Sequence, residues 1–271
     1  MSLSTFYGSS TVVITLLLFA AILISNEAGY RYAKRFGVRH MDDGLKSQTN
    51  AIQGGMLGLL ALLLGLSFSM GLQRYDARSA AVVAEANAIG TAAFRAELLP
   101  EDEIAEALLQ LRAYVAVREY AASVTLDDQA GYQAAVDETR RAQAELWRFV
   151  RRTTATNPAP VTASLFVQAV NGAFDAFEFR QAALQRHIPE VVIALLFVVF
   201  IVAGSVLGYA SGLGGRRPWL ATVSMSGLIA LVIFIVIDLD RPRRGLITVD
   251  QSAMMALALQ MDAVSRSTTR D

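Results

Sequence analysis

Four stretches of this chain carry no charged side chain over a length that can cross a bilayer: roughly Thr11–Ser25, Ala51–Leu72, Val191–Leu213 and Trp219–Ile237. A spanning helix needs about 20 predominantly apolar residues, and it satisfies its backbone polar groups internally because the lipid offers no partner. The first stretch looks short, but no charge precedes Asn26, so it extends toward the N-terminus. It lacks the basic leader of a signal peptide, and "ISNEAGY" is a poor cleavage site, so it is read as a retained span. Composition agrees. Of 271 residues 54% are hydrophobic and only 18% charged, where a soluble domain carries about 25%. The chain reads as a polytopic membrane protein.

The residues between the second and third spans have a different texture. "EDEIAEALLQLRAYVAVREYAASV" sets Ile104, Leu108, Leu111 and Val115 at helical spacing, with acids in the first turn where the helix dipole favours them. Tyr132, Val136, Leu146 and Phe149 or Val150 repeat the pattern, and Phe166, Val170, Phe174 and Phe177 share a third face. No segment alternates with period two, so strands are not expected. The fold class is all-α. Residues 1–72 hold spans one and two, 73–187 form a helical extramembrane domain continuous with the second span, 188–240 hold spans three and four, and 241–271 make a C-terminal extramembrane segment. The second span has no stop signal, since no proline occurs from Ala51 to Leu99. Two readings stand: one rod of roughly 70 Å at 1.5 Å per residue, or two helices with a kink at Gly71.

Several function classes drop out. Basic and acidic residues balance at 24 each, which removes the basic footprint of a nucleic-acid binder. There is no cysteine, and His40 and His187 are too far apart in sequence to suggest a metal site. No nucleophile elbow, zinc-protease helix or P-loop occurs, so neither an enzyme nor a resident cofactor is expected.

Polar and small residues at the span ends supply the candidate sites. Arg74 and Arg78 share a helix face at the membrane exit of the second span, and Asn87, Thr91 and Arg95 form a second stripe. They serve either as helix–helix contacts or as an anion-attracting vestibule around an axis shared by several copies. Glu85 is the lone acid in that stretch. Gly204, Gly208 and Gly212 recur every fourth residue in the third span, with Gly54 and Gly58 a shorter version in the second. Such faces let backbones approach closely in lipid, within or between subunits. "VIDLDRPRRG" closes the fourth span. Asp238, Asp240, Arg241, Arg243 and Arg244 read as a structural clasp to the Arg74–Arg78 exit or to the helical domain, because an unpaired carboxylate at that depth is costly. Glu27 has a local partner in Arg31, four residues on.

The stretch "GLLALLLGLSFSMGLQRYDARSAAVVAEANAIGTAAFRA" resembles the pore-helix region of bestrophins, and the order of two spans, helical insert and two spans is similar too. "EANAIGTAAFRA" and "DLDRPRRGLITVDQ" resemble, more closely, signatures of a bacterial bestrophin-like membrane family. The resemblance implies a homo-oligomer, pentameric in bestrophins, in the bacterial inner membrane among lipid. It implies a pore for inorganic anions such as chloride, lined by the second span. Carried over, an apolar neck falls at Leu62 and Leu66 and at Ser69 or Met70; hydrophobic constrictions of this kind gate by dewetting. The "RYDAR" stretch is one residue shorter than the bestrophin pattern, which leaves that register open. The acidic calcium cluster of animal bestrophins is reduced here to Asp238 and Asp240, so calcium gating is not implied. A membrane-anchored helical scaffold or sensor, without conduction, is the alternative. Four spans put both termini and the insert on one side, but the basic residues flanking the two sides balance, and the orientation stays open.

Overall fold

The computed structural model describes residues 11–37, 43–124, 128–156, 160–214, 217–241 and 246–268. Among them there are eight α-helices and no strand: α1 (Thr11–Tyr32, continued by a π-helical turn, Ala33–Gly37), α2 (Asp43–Ala96), α3 (Glu101–Ser123), α4 (Gln129–Thr156), α5 (Pro160–Gln185), α6 (Glu190–Leu213), α7 (Trp219–Asp240) and α8 (Ser252–Thr268). Four of the helices are long and apolar enough to cross a membrane: α1 with its extension, α2, α6 and α7. Helix α2 runs 54 residues without a break, so Gly71 does not interrupt it. Gly71 packs against α7, where a Cβ would meet Leu239 and the Val236 carbonyl at ordinary contact distances, and the neighbouring sequence contains no proline.

The chain forms two units. The first comprises residues 1–74 and 187–241, the second residues 75–186 and 242–271. In the first, α1, α6, α7 and the apolar half of α2 bury a core of Ile14, Leu18, Leu60, Leu196, Phe200 and Ile233. Its tightest seam lies between α1 and α6. A Cβ at Gly208 would sit 1.8 Å from the Asn26 carbonyl oxygen, and one at Gly29 would sit 2.0 Å from that of Ser205. At Gly212 it would meet Ala33 Cβ at 2.6 Å, and at Gly204 the Ile22 carbonyl at 3.0 Å. Backbone thus touches backbone, and side chains bond across the seam: Ser25 Oγ donates to the Ile201 carbonyl (2.5 Å) and Asn26 Nδ2 to that of Gly204 (3.2 Å). Gly54 and Gly58 differ, since a Cβ at either meets nothing within 4 Å inside the subunit.

The second unit packs α3, α4, α5 and the polar half of α2 around Ile89, Leu111, Tyr114, Leu146, Phe166 and Val170. Of the three helical faces expected for this insert, Leu111, Val115, Leu146, Phe149, Phe166 and Val170 lie in that core, with Ile104, Leu108 and Phe174 packed half-buried against it, while Tyr132, Val136 and Phe177 lie outside it. Helix α8 completes it with Met254, Leu257, Ala258 and Met261. Helix α8 therefore contributes to this unit's core, and Arg112 fastens it to α3 through Asp262 (2.5 and 3.0 Å).

Candidate functional site

On the apolar half of α2, one side is packed and the other is open. Leu57, Leu60, Leu63, Leu64 and Ser67 turn inward, with Ser67 Oγ donating to the Leu63 carbonyl (2.8 Å). Leu62 and Leu66 are 59% and 56% exposed, and Ser69 is exposed with them. Met70, the other neck alternative, is half-buried against Ile188, Ile193 and Val236. The open side has a polar end that the sequence did not single out: Gln73 Nε2 donates to Ser69 Oγ (3.1 Å). An amide beside a hydroxyl one turn beyond two leucines can exchange hydrogen bonds with water or a passing ion. A leucine cannot.

Gly54, Gly58 and Gly65 occupy their own line on this exposed side. At 100° per residue it lies roughly 50° from the line through Leu62 and Ser69. Beyond Tyr75 the exposed residues Ala80, Ala84, Asn87 and Thr91 keep the same three- and four-residue spacing, and Thr91 Oγ1 donates back to the Asn87 carbonyl (2.9 Å). Arg95 turns aside, half-buried, and donates to the Leu165 carbonyl on α5 (3.0 Å).

The two exit arginines have separate surroundings. Arg74, in the membrane unit, is half-buried. Arg78, in the helical unit, is 1% exposed and donates to the carbonyls of Ala183 (3.2 Å) and Arg186 (2.6 Å). Those carbonyls stand at the C-terminal end of α5, where helix geometry leaves acceptors unpaired and the dipole favours a cation.

At the foot of the fourth span Asp238, Asp240 and Arg241 are all buried. Asp240 Oδ1 accepts from the Ile188 backbone N–H (2.9 Å), just ahead of α6, and His187 Nδ1 lies 3.5 Å from its Oδ2. Arg241 Nη1 donates to Thr11 Oγ1, the first residue of α1 (3.1 Å). These bonds tie the fourth span to the third and the first, partners that the sequence did not indicate. Arg243 and Arg244 lie outside the described residues. At the other end of α1, Glu27 receives Arg31 Nε (2.7 Å), as its spacing suggested, and also Arg217.

The strongest electrostatic feature of the helical unit is centred on Glu85, which is fully buried. Arg118 grips its carboxylate with both arms, Nε to Oε1 at 2.5 Å and Nη2 to Oε2 at 3.3 Å, and Arg180 Nη1 reaches Oε2 at 2.6 Å. The bidentate fork is the strongest geometry available to a guanidinium–carboxylate pair. Arg118 also stacks on Phe177, 4.6 Å from the ring centroid, and Nη1 reaches Thr139 Oγ1 at 3.4 Å. Arg180 Nη2 donates to Gln251 Oε1 (2.7 Å). Burial holds the Tyr114 hydroxyl well above the usual phenol range, helped by the nearby Glu85 charge. Burial pulls the Arg180 guanidinium down, partly offset by Glu85. A carboxylate clamped by two cations is held ionised, which suits a structural brace and not a proton shuttle. Among the described residues no group of three His, Asp or Glu side chains could hold a metal ion.

The model of the Bestrophin-like domain matches residues 27–254. Two crystal structures of point variants of a bacterial bestrophin homologue from Klebsiella pneumoniae are similar in fold. A tryptophan-to-alanine variant superposes with a TM-score of 0.66 at 13% identity, covering 97% of this chain and 99% of the other. A tyrosine-to-alanine variant gives 0.64 at 15%, covering 97% and 100%. No curated protein sequence matches.

Proposed function

The chain belongs to the bestrophin-like family, and on that premise we propose that it is a homo-oligomeric anion channel of the bacterial inner membrane, its pore lined by α2. The observation that carries the reading is the open side of α2, which joins a line of exposed glycines to exposed leucines and a polar Ser69–Gln73 end. Lipid satisfies exposed leucines, but it gains nothing from exposed glycines. A line of Gly54, Gly58 and Gly65 invites a neighbouring helix to approach closely. Copies touching on that line turn the adjacent Leu62, Leu66 and Ser69 toward a common axis. Ring formation, five-fold by family likeness, then makes an apolar neck from two leucine layers, followed by the Ser69–Gln73 pair. Dewetting closes such a neck to ions, and a polar exit lowers the barrier for those that pass.

The experiment is chloride flux into liposomes carrying the purified protein. Leu66→Ala widens the neck and is expected to raise the flux severalfold, while Val191→Ala, at an exposed position on α6, leaves it near the wild-type rate. Absence of flux from every preparation, with a stable protein partner recovered instead, would favour a scaffold.

A further inference from the structure

Beside the Glu85 network, the helical unit contains a cavity of about 220 Å3 that the channel reading leaves unused. Arg78 and Arg180 line its polar end, 1% and 2% exposed, together with Gln251. Val82, Val124, Leu184 and Val249 supply apolar wall. Ser123 and Thr248 also line it and are exposed, so the cavity opens to solvent beside them.

Three properties select the occupant. Among the described residues, Glu85 answers two guanidiniums, Arg118 and Arg180, with one carboxylate, so the cluster has excess positive charge. Gln251 Oε1, a neutral oxygen, holds the place beside Arg180 Nη2 where a charged acceptor would bind more strongly. Displacing Gln251 Oε1 gives one carboxylate oxygen the Arg180 Nη2 N–H, while Arg78 keeps its bonds to the Ala183 and Arg186 carbonyls and contributes its charge. The cavity is smaller than the ~300–1,000 Å3 of sites for drug-sized ligands, and the aliphatic part of its wall suits an alkyl tail better than the outer oxygens of a phosphate. We propose that this cavity binds a short-chain organic carboxylate, its head at Arg78 and Arg180 and its alkyl tail against Val82, Leu184 and Val249. The site is separate from α2's open side, and its occupancy is independent of whether the protein conducts.

The test is thermal unfolding and calorimetric titration of the full-length protein in detergent with sodium butyrate, against sodium chloride and sodium phosphate at equal ionic strength. Butyrate is expected to bind saturably and raise Tm more than either salt. Arg180→Gln is expected to weaken butyrate binding by about tenfold or more, the usual effect of losing a charge-assisted hydrogen bond. Because Arg180 also braces Glu85, Thr248→Trp serves as the second variant: it closes the mouth without altering a bond of the network, and it is expected to abolish binding. No saturable butyrate response, a response equalled by chloride or phosphate, or butyrate binding unchanged in Thr248→Trp would overturn the proposal.

Discussion

Glu85→Ala is expected to destabilise the helical unit by about 3–5 kcal/mol, the cost of breaking a buried ion pair from one side. Glu85 is the carboxylate to which Arg118 and Arg180 are bound, and those arginines are 2% exposed. Its removal strands two guanidiniums in a region walled by Phe177 and Tyr114, with Thr139 and Gln251 as neutral acceptors. Exposing them to water instead means separating α2, α3 and α5. In detergent this should read as a fall in Tm on the order of 10 °C. Glu85→Gln keeps the shape and one acceptor oxygen but loses the charge, so it should fall between wild type and Glu85→Ala. An unaltered Tm in Glu85→Ala would show that the network contributes little.

Gly208→Leu should be as damaging in the membrane unit. Even a methyl group at Gly208 would overlap the Asn26 carbonyl at 1.8 Å, and that oxygen belongs to helix backbone that has no rotamer to yield. Overpacking a well-filled interior costs about 1–3 kcal/mol and occasionally more; two helices forced apart along their closest seam should reach the upper part of that range. Loss of the Ser25–Ile201 and Asn26–Gly204 bonds would follow. The expected result is little folded protein in detergent. Gly54→Ala is the matched control. It meets nothing within the subunit and should leave the protomer folded while weakening association if copies pack on that line. A Gly208→Leu protein with wild-type yield and Tm would contradict the packing.

The contrast between these glycines shows what sequence can and cannot convey. Hydropathy and charge-free length located the four spans, because a bilayer imposes both requirements along the chain itself. Helical periodicity likewise located the faces that build the insert's core. The every-fourth glycines of α6 stood out as a repeat, but their complement on α1, Gly29, is a single glycine with no pattern around it. Glu85 stood out as a lone acid. Its partners come from α3 and α5, 33 and 95 residues later, and nothing local marks which of many arginines they are. Asp240 is paired with a backbone N–H, a partner that no residue type announces. Helix α8 was hidden for another reason: its apolar residues lie on several faces, with Met255 and Leu259 exposed, and only a core already formed by α2 and α3 selects Met254, Leu257, Ala258 and Met261. Which side of α2 meets neighbours depends on copies beyond the protomer, so one chain's sequence gives only the candidates.

In the assembled channel the open side of α2 is expected to face water. The chain has no cysteine, so a single thiol can be introduced without background. Leu66→Cys in liposomes should react with a membrane-impermeant anionic thiol reagent, and the modification should change chloride flux. Val198→Cys, at an exposed position well inside α6, is the comparison expected to face lipid and should react little. A Leu66→Cys thiol that stays unmodified by the aqueous reagent, yet reacts with a lipid-soluble one, would contradict the account.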